Sequence, residues 1–92
     1  MIATIRHKGL RFYYEEGNGS KLPHNQLKKI SNILTALDAI FTETDLKNLG
    51  YGIHKLTGNL KDFWSITVSG NYRIIFRFEA SEILDVDYLD YH

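Results

Sequence analysis

The chain has 92 residues, one proline, no cysteine, and eleven Lys+Arg set against eleven Asp+Glu. Its 43% hydrophobic and 13% aromatic content suits one small domain over residues 1–92 with a packed core and excludes a disordered chain. Without cysteine there is no disulfide framework, thiolate metal site or cysteine nucleophile, and a net charge of zero, taken alone, argues against a nucleic-acid partner.

The sum hides an asymmetry. Residues 1–31 carry six basic groups (Arg6, Lys8, Arg11, Lys21, Lys28, Lys29) against Glu15 and Glu16, a surplus of four positive charges. Residues 32–92 carry five basic and nine acidic groups, a surplus of four negative ones, and the stretch from Glu79 onward has five acids and no Lys or Arg. A neutral chain built this way still offers a basic face. The start MIATIRHKGL lacks the apolar run of a signal peptide, and no stretch approaches a membrane span. The expectation is a cytoplasmic protein without a membrane partner.

In chain order, residues 1–6 alternate weakly and suit a short strand. Residues 8–16 read as a helix stopped by Gly17. After the turn Asn18-Gly19-Ser20, a second helix opens near Pro23. Its apolar residues Leu27, Ile30, Ile33, Leu34, Leu37 and Ile40 fall at helical spacing, leaving Lys28, Lys29 and Asn32 to water. Residues 42–49 suit a short third helical turn ending at Gly50. Segments 51–56, 63–68, 72–78 and 83–89 read as strands, and their short connections imply an antiparallel meander. The expected fold is α+β, with the N-terminal helices packed on one face of that meander.

Strand register carries the functional argument. A three-residue loop Ser69-Gly70-Asn71 pairs Val68 with Tyr72, Ile66 with Ile74 and Trp64 with Phe76, gathering apolar side chains on one face; a two-residue loop Gly70-Asn71 does not. The same logic at Ala80-Ser81-Glu82 pairs Phe78 with Leu84, Phe76 with Val86 and Ile74 with Tyr88. Ser65, Thr67, Arg73, Ile75, Arg77, Asp85, Asp87 and Leu89 then share the open face. Pairing Ile53 with Ile66 sets His54 opposite Ser65, with the His54 and Arg73 backbones roughly 10–12 Å apart. Asp90, Tyr91 and His92 arrive beside Arg73.

These residue types suit phosphodiester cleavage without a metal. The 2′-hydroxyl of RNA attacks the adjacent phosphorus if a base takes its proton, an acid protonates the leaving oxygen, and a fixed cation steadies the phosphate. Histidine serves either proton role, arginine donates two parallel bonds to phosphate, and tyrosine stacks on a splayed base. Plainer roles compete: His7 and His24 as solvated histidines, Tyr13 and Tyr14 as packing residues, Arg77 as a structural partner of Asp85. No metal-ligand spacing, Gly-rich phosphate loop or nucleophile elbow appears, so no metal or cofactor is expected.

Several blocks are similar to the HigB toxins of the RelE/ParE toxin superfamily: Arg6-His7-Lys8-Gly9-Leu10, the helix end Leu37-Asp38, Trp64-Ser65-Ile66-Thr67-Val68, Gly70-Asn71 with Arg73-Ile74, and Asp90-Tyr91-His92. The resemblance implies a RelE-like, microbial-RNase-like fold and a ribosome-dependent mRNA endonuclease that cuts the codon in the A site. It implies His54, Arg73, Asp90, Tyr91 and His92 as the catalytic set. Its implied partners are a helix-turn-helix antitoxin (HigA-like), the ribosome with mRNA through small-subunit rRNA, and operator DNA through the antitoxin complex. Arg6, Lys8, Arg11, Lys21, Lys28, Lys29, Lys55 and Lys61 are the candidate RNA and ribosome contacts. Where such toxins commonly carry Lys-Gly-Asp-Arg, this chain reads Thr57-Gly58-Asn59-Leu60. That loss of charge motivates an alternative, a catalytically weakened toxin that chiefly binds its antitoxin. A gyrase inhibitor of the ParE type is a third reading, against which the His54, Arg73 and Asp90-Tyr91-His92 set argues.

Overall fold

The structure is a computed structural model that describes residues 1–91. Helix α1 (Lys8–Glu16) begins at His7, whose Nδ1 accepts the Leu10 backbone N–H at 3.1 Å. His7 is therefore a helix cap packed edge-on against Tyr88, with ring centroids 5.4 Å apart, and not the solvated histidine expected from sequence. The helix ends at Gly17, whose φ of +73° supplies the left-handed turn expected there. A 3-10 turn (His24–Gln26) follows Pro23 and leads into α2 (Leu27–Asp38). Ile30, Ile33, Leu34 and Leu37 form the buried stripe of α2 at the spacing read from sequence. Helix α3 (Glu43–Lys47) starts with a Thr42/Asp45 capping box. The backbone N–H groups of Thr42 and Phe41 hold the Asp45 carboxyl below its ordinary range.

The strands β1 (His54–Lys55), β2 (Phe63–Ser69), β3 (Tyr72–Glu79) and β4 (Glu82–Asp90) form an antiparallel meander in the order β1-β2-β3-β4. The expected strand over 51–56 shrinks to two residues because Gly50, Tyr51 and Gly52 all take positive φ, at 89°, 57° and 65°. The expected strand over 1–6 is also absent. Ile2 and Ile5 instead make isolated parallel bridges to Ile83 and Val86. Asp85, with φ +53°, bulges between those bridges and turns its N–H to Thr4 Oγ1 at 2.8 Å, interrupting a regular ladder. The first residues nevertheless screen the outer edge of β4, and the opposite edge, β1, is very short; both features blunt edge-to-edge pairing.

Both hairpins use two-residue loops, and each recovers the apolar register through a bulge. Ser69 pairs with Tyr72 while Thr67 pairs with Arg73, so Val68 is the extra residue; the expected Val68–Tyr72 pair does not form, but Ile66–Ile74 and Trp64–Phe76 do. At the second hairpin Ala80 and Ser81 take φ of 52° and 65°, the paired positive values of a tight hairpin turn. Phe78 therefore pairs with Ile83 and Arg77 with Leu84, and the shift beyond them restores Ile74–Tyr88. Ile83 takes the core position expected for Leu84. Arg77 still binds Asp85, Nε to Oδ2 at 2.8 Å, because the bulge swings that carboxylate toward it. This bond raises the Arg77 pKa, so the guanidinium stays charged.

The helices cover the face bearing Trp64, Ile66, Ile74, Phe76, Ile83 and Val86, which join Leu10, Ile30, Ile33, Leu34 and Leu37 in one core cluster. Asp38 ties three elements to this layer: it accepts the Ile2 N–H at 2.9 Å and the Tyr14 hydroxyl at 2.7 and 2.8 Å. Burial first, and then this carboxylate, pushes the Tyr14 phenol up to about 12; burial, with Tyr72 and Asp90 nearby, does the same to Tyr88. Both folded-state values lie above the ordinary 10.0. Their contribution is therefore complete below pH 10 and lost as pH rises through about 12. Denaturant midpoints should fall across that window, and the fall should shrink in Tyr14→Phe and Tyr88→Phe; equal slopes in parent and variants would contradict this. Among the described residues no helix is long and apolar enough to cross a membrane.

Candidate active site

The sheet face turned away from the helices carries the candidate site. His54 pairs with Ser65 across β1–β2, Thr67 pairs with Arg73 across β2–β3, and Arg73 pairs with Leu89 across β3–β4, each as the sequence register requires. His54 and Arg73 thus lie on one face, two strands and two residues apart, or about 10–12 Å between backbones. The face is less open than expected. Ser65 and Ile75 are only 1% and 4% exposed, and Phe63 is also buried. A small apolar layer therefore supports the polar groups and steadies their backbones.

His54 is exposed, and its Nδ1 lies 3.0 Å from the Gly52 carbonyl. A carbonyl only accepts, so Nδ1 donates in this contact, which leaves Nε2 as the ring atom that faces a ligand. Nothing in the sequence marked Gly52 for this task beyond the cluster Gly50-Tyr51-Gly52. Its positive φ aims the chain so that its carbonyl meets the ring. The Arg73 guanidinium folds onto its own hairpin, donating to the Gly70 carbonyl at 2.5 Å and the Tyr72 carbonyl at 3.0 Å. Those turn carbonyls hold the head group at the sheet's end and leave its other N–H groups for a ligand.

Tyr91 is 38% exposed and is tied to the same hairpin by its N–H to the Asn71 carbonyl at 2.9 Å. Asp90 pairs with Tyr72, which by strand alternation sets it on the Tyr72–Tyr88 side of the sheet, opposite to Arg73. Tyr72 and Tyr88 stack there with centroids 5.4 Å apart, and Tyr88 donates to Gln26 Oε1. So His54 and Arg73 share one face, the Tyr91 backbone is tied to the hairpin that ends beside Arg73, and Asp90 lies on the other face. His92 lies outside the described residues.

The candidate RNA contacts do not form one track. Arg6 ion-pairs with Asp85 at 3.8 Å and lies over the Phe63 ring, toward the end of the sheet away from Arg73. Lys8 and Lys21 both sit over Phe12, and Arg11 is half-buried beside them on α1. Lys28 and Lys29 are exposed at the start of α2, on the helical side. Lys55 covers Trp64, and Lys61 is exposed after the 58–60 turn. Lys28 and Lys29 are both exposed, so reversing both charges should leave folding intact. Lys28→Glu with Lys29→Glu should weaken ribosome association and lower its log–log salt slope by about one to two; unchanged binding across a salt titration would remove this pair from the interface.

Two clefts lie elsewhere. One of about 320 Å³ runs between α1 and α2 beside Tyr14 and Asp38, and one of about 260 Å³ is lined by Lys55, Trp64, Arg77 and three carboxylates. Neither is lined by His54 or Arg73. Among the described residues no cluster of three or more His, Asp or Glu side chains could hold a metal ion.

The fold matches that of the YoeB dimer from Staphylococcus aureus with a TM-score of 0.52 at 17% identity, over 99% of this chain and 94% of that one. The likeness is one of architecture and sets the chain among α+β proteins of that fold. The family model for the RelE-like toxin HigB of type II toxin–antitoxin systems matches residues 3–92. The chain is 36% identical over 92 residues to "Endoribonuclease HigB" of Proteus vulgaris, with all of both chains covered. It is 34% identical over 94 residues to "Toxin HigB-1" of Vibrio cholerae, covering all of this chain and 98% of that protein. The chain belongs to the HigB-like toxin family of type II toxin–antitoxin systems, a membership that implies an antitoxin partner.

Proposed function

We propose that this toxin is an endoribonuclease that cleaves mRNA in the A site of the ribosome and so stops translation. The observation that carries the reading is the meeting of His54 and Arg73 on one exposed sheet face, with Tyr91 tied to the adjoining hairpin. Arg73 contacts the scissile phosphate and stabilises its growing charge. The 2′-oxygen bonds to phosphorus as the bond to the 5′-oxygen breaks, leaving a cyclic phosphate and a 5′-hydroxyl. One proton leaves the 2′-hydroxyl and another reaches the 5′-oxygen; His54, Asp90 and His92 divide proton transfer and orientation, and an imidazole serves as base when neutral and as acid when protonated. Tyr91 orients the nucleotide. A HigA-like helix-turn-helix antitoxin holds the toxin inactive, and the complex represses its own operon by binding operator DNA.

The open face supports a macromolecular substrate, since a pocket would exclude ribosome-bound RNA. The test is a translation reaction with end-labelled mRNA, with and without ribosomes. Discrete fragments should appear only with ribosomes present; intact mRNA at equimolar protein overturns the reading. Thr57 and Leu60, uncharged in the exposed turn over 57–60, favour a second reading in which cleavage is weak and antitoxin binding is the main task. That reading predicts intact mRNA together with tight antitoxin binding.

A further inference from the structure

We infer that Ser65 is a positioning residue for His54, its buried hydroxyl anchoring the imidazole from the facing strand during proton transfer. The consequence for catalysis rests on the nuclease reading above; the contact itself does not. Ser65 is 1% exposed, and among the described residues its Oγ is the buried side-chain polar atom that has no hydrogen-bond partner. An unpaired buried hydroxyl destabilises a fold, and alanine would fill the same place without that cost. A serine at this position is therefore poorly explained by packing.

Its location supplies the explanation. Ser65 and His54 are direct cross-strand partners on the same face, with Cβ atoms about 4.5–5.5 Å apart in such a pair. The other flank of Ser65 is Ile75, which offers no hydrogen bond. Thr67, the next side chain on that face of β2, is opposite Arg73. The His54 ring has one anchor, Gly52 O at Nδ1, and an exposed ring held at one atom still pivots. A hydroxyl both donates and accepts, so it serves the ring before and after Nε2 takes a proton. The bond is not held at rest; a ring anchored at one atom samples it by pivoting in the free protein and holds it when substrate arrives. The charged groups on this face are Arg73 and Arg77 on β3, the latter bound to Asp85, and Asp87 on β4; all lie on the far side of β2 from His54, and Lys55 sits over Trp64. Ser65 is thus the polar side chain directly facing His54 across the ladder.

The test compares the parent with Ser65→Ala and Ser65→Thr in single-turnover cleavage on programmed ribosomes and in ring ¹⁵N spectra of the free proteins. Ser65→Ala should lower the maximal cleavage rate about tenfold, the usual scale for losing a group that orients a reacting side chain. The half-saturating ribosome concentration should stay unchanged, and the melting midpoint should be equal or higher. Ser65→Thr, which keeps the hydroxyl, should restore most of the rate; if its extra methyl prevents folding, the alanine arm decides. The His54 ring signals should shift in Ser65→Ala. Parental cleavage by that variant overturns the inference, as do unchanged ring signals whatever the rate. A parent that leaves mRNA intact ends the nuclease reading instead, and the ring signals then still decide whether Ser65 holds His54.

Discussion

Replacing Arg73 with alanine is expected to slow mRNA cleavage about 10²–10³-fold, the range found when one preorganised donor to a developing oxyanion is removed. The protein should remain folded. Among the described residues Arg73 bonds to the carbonyls of Gly70 and Tyr72, at the end of the β2–β3 hairpin, so its loss costs about 1 kcal/mol or less. Arg73→Lys should recover part of the rate, because an ammonium keeps the charge but lacks the planar fork. The measurement is single-turnover cleavage with saturating ribosomes, alongside a melting curve. Full activity in Arg73→Ala would show that the phosphate is stabilised elsewhere, with Lys55 and Lys61, which flank the turn before β2, the next groups to test.

Phe76→Ala should have the largest effect on stability. Phe76 is fully buried in mid-β3, pairs with Trp64, and faces the helices from the segment where β4 bulges. Truncation removes most of a ring from a close-packed layer and costs about 3–5 kcal/mol. A domain of this size has a margin of roughly 5–10 kcal/mol, and each kcal/mol moves the midpoint by about 4–8 °C. A fall of about 12 °C or more is therefore expected by circular dichroism. A shift below about 4 °C would mean that the helices repack onto the sheet, and that the sheet is held chiefly by its ladder.

Helical patterning made α1 and the body of α2 legible, because a buried stripe such as Ile30, Ile33, Leu34 and Leu37 repeats over several turns, but α2 opens at Leu27 rather than near Pro23, with a 3-10 turn between. The pairings that matter to the site, His54 with Ser65 and Arg73 with Leu89, were legible for a related reason: burial of Ile66 and Ile74 fixes register in the middle of the sheet. The hairpin ends were not. Loop length and apolar register pull in different directions at Gly70-Asn71 and at Ala80-Ser81, and the chain satisfies both by spending one extra residue as a bulge. Period-two reading has no place for such a residue, which is why Leu84 and Ile83 exchanged roles. Side chains that act through the backbone were equally hidden. The cap at His7 and the carbonyl of Gly52 depend on local φ and ψ, and composition says nothing about either. At the site itself, sequence brought His54 and Arg73 together, but not the face change at Asp90, which follows from its pairing with Tyr72.

The bridges from Ile2 and Ile5 to β4 also order events in time. Thr4 and Asp85 meet across 81 residues of sequence, so although Ile2 can already reach Asp38, the first segment cannot make its bridges to β4 until that strand has been translated. Contacts of such long range delay folding to its last stage. Leu89 and the Asn71–Tyr91 bond, which flank Arg73, wait for the same strand. In a chain of the HigB-like family, the sheet face that bears Arg73 is thus completed only once β4 has been made.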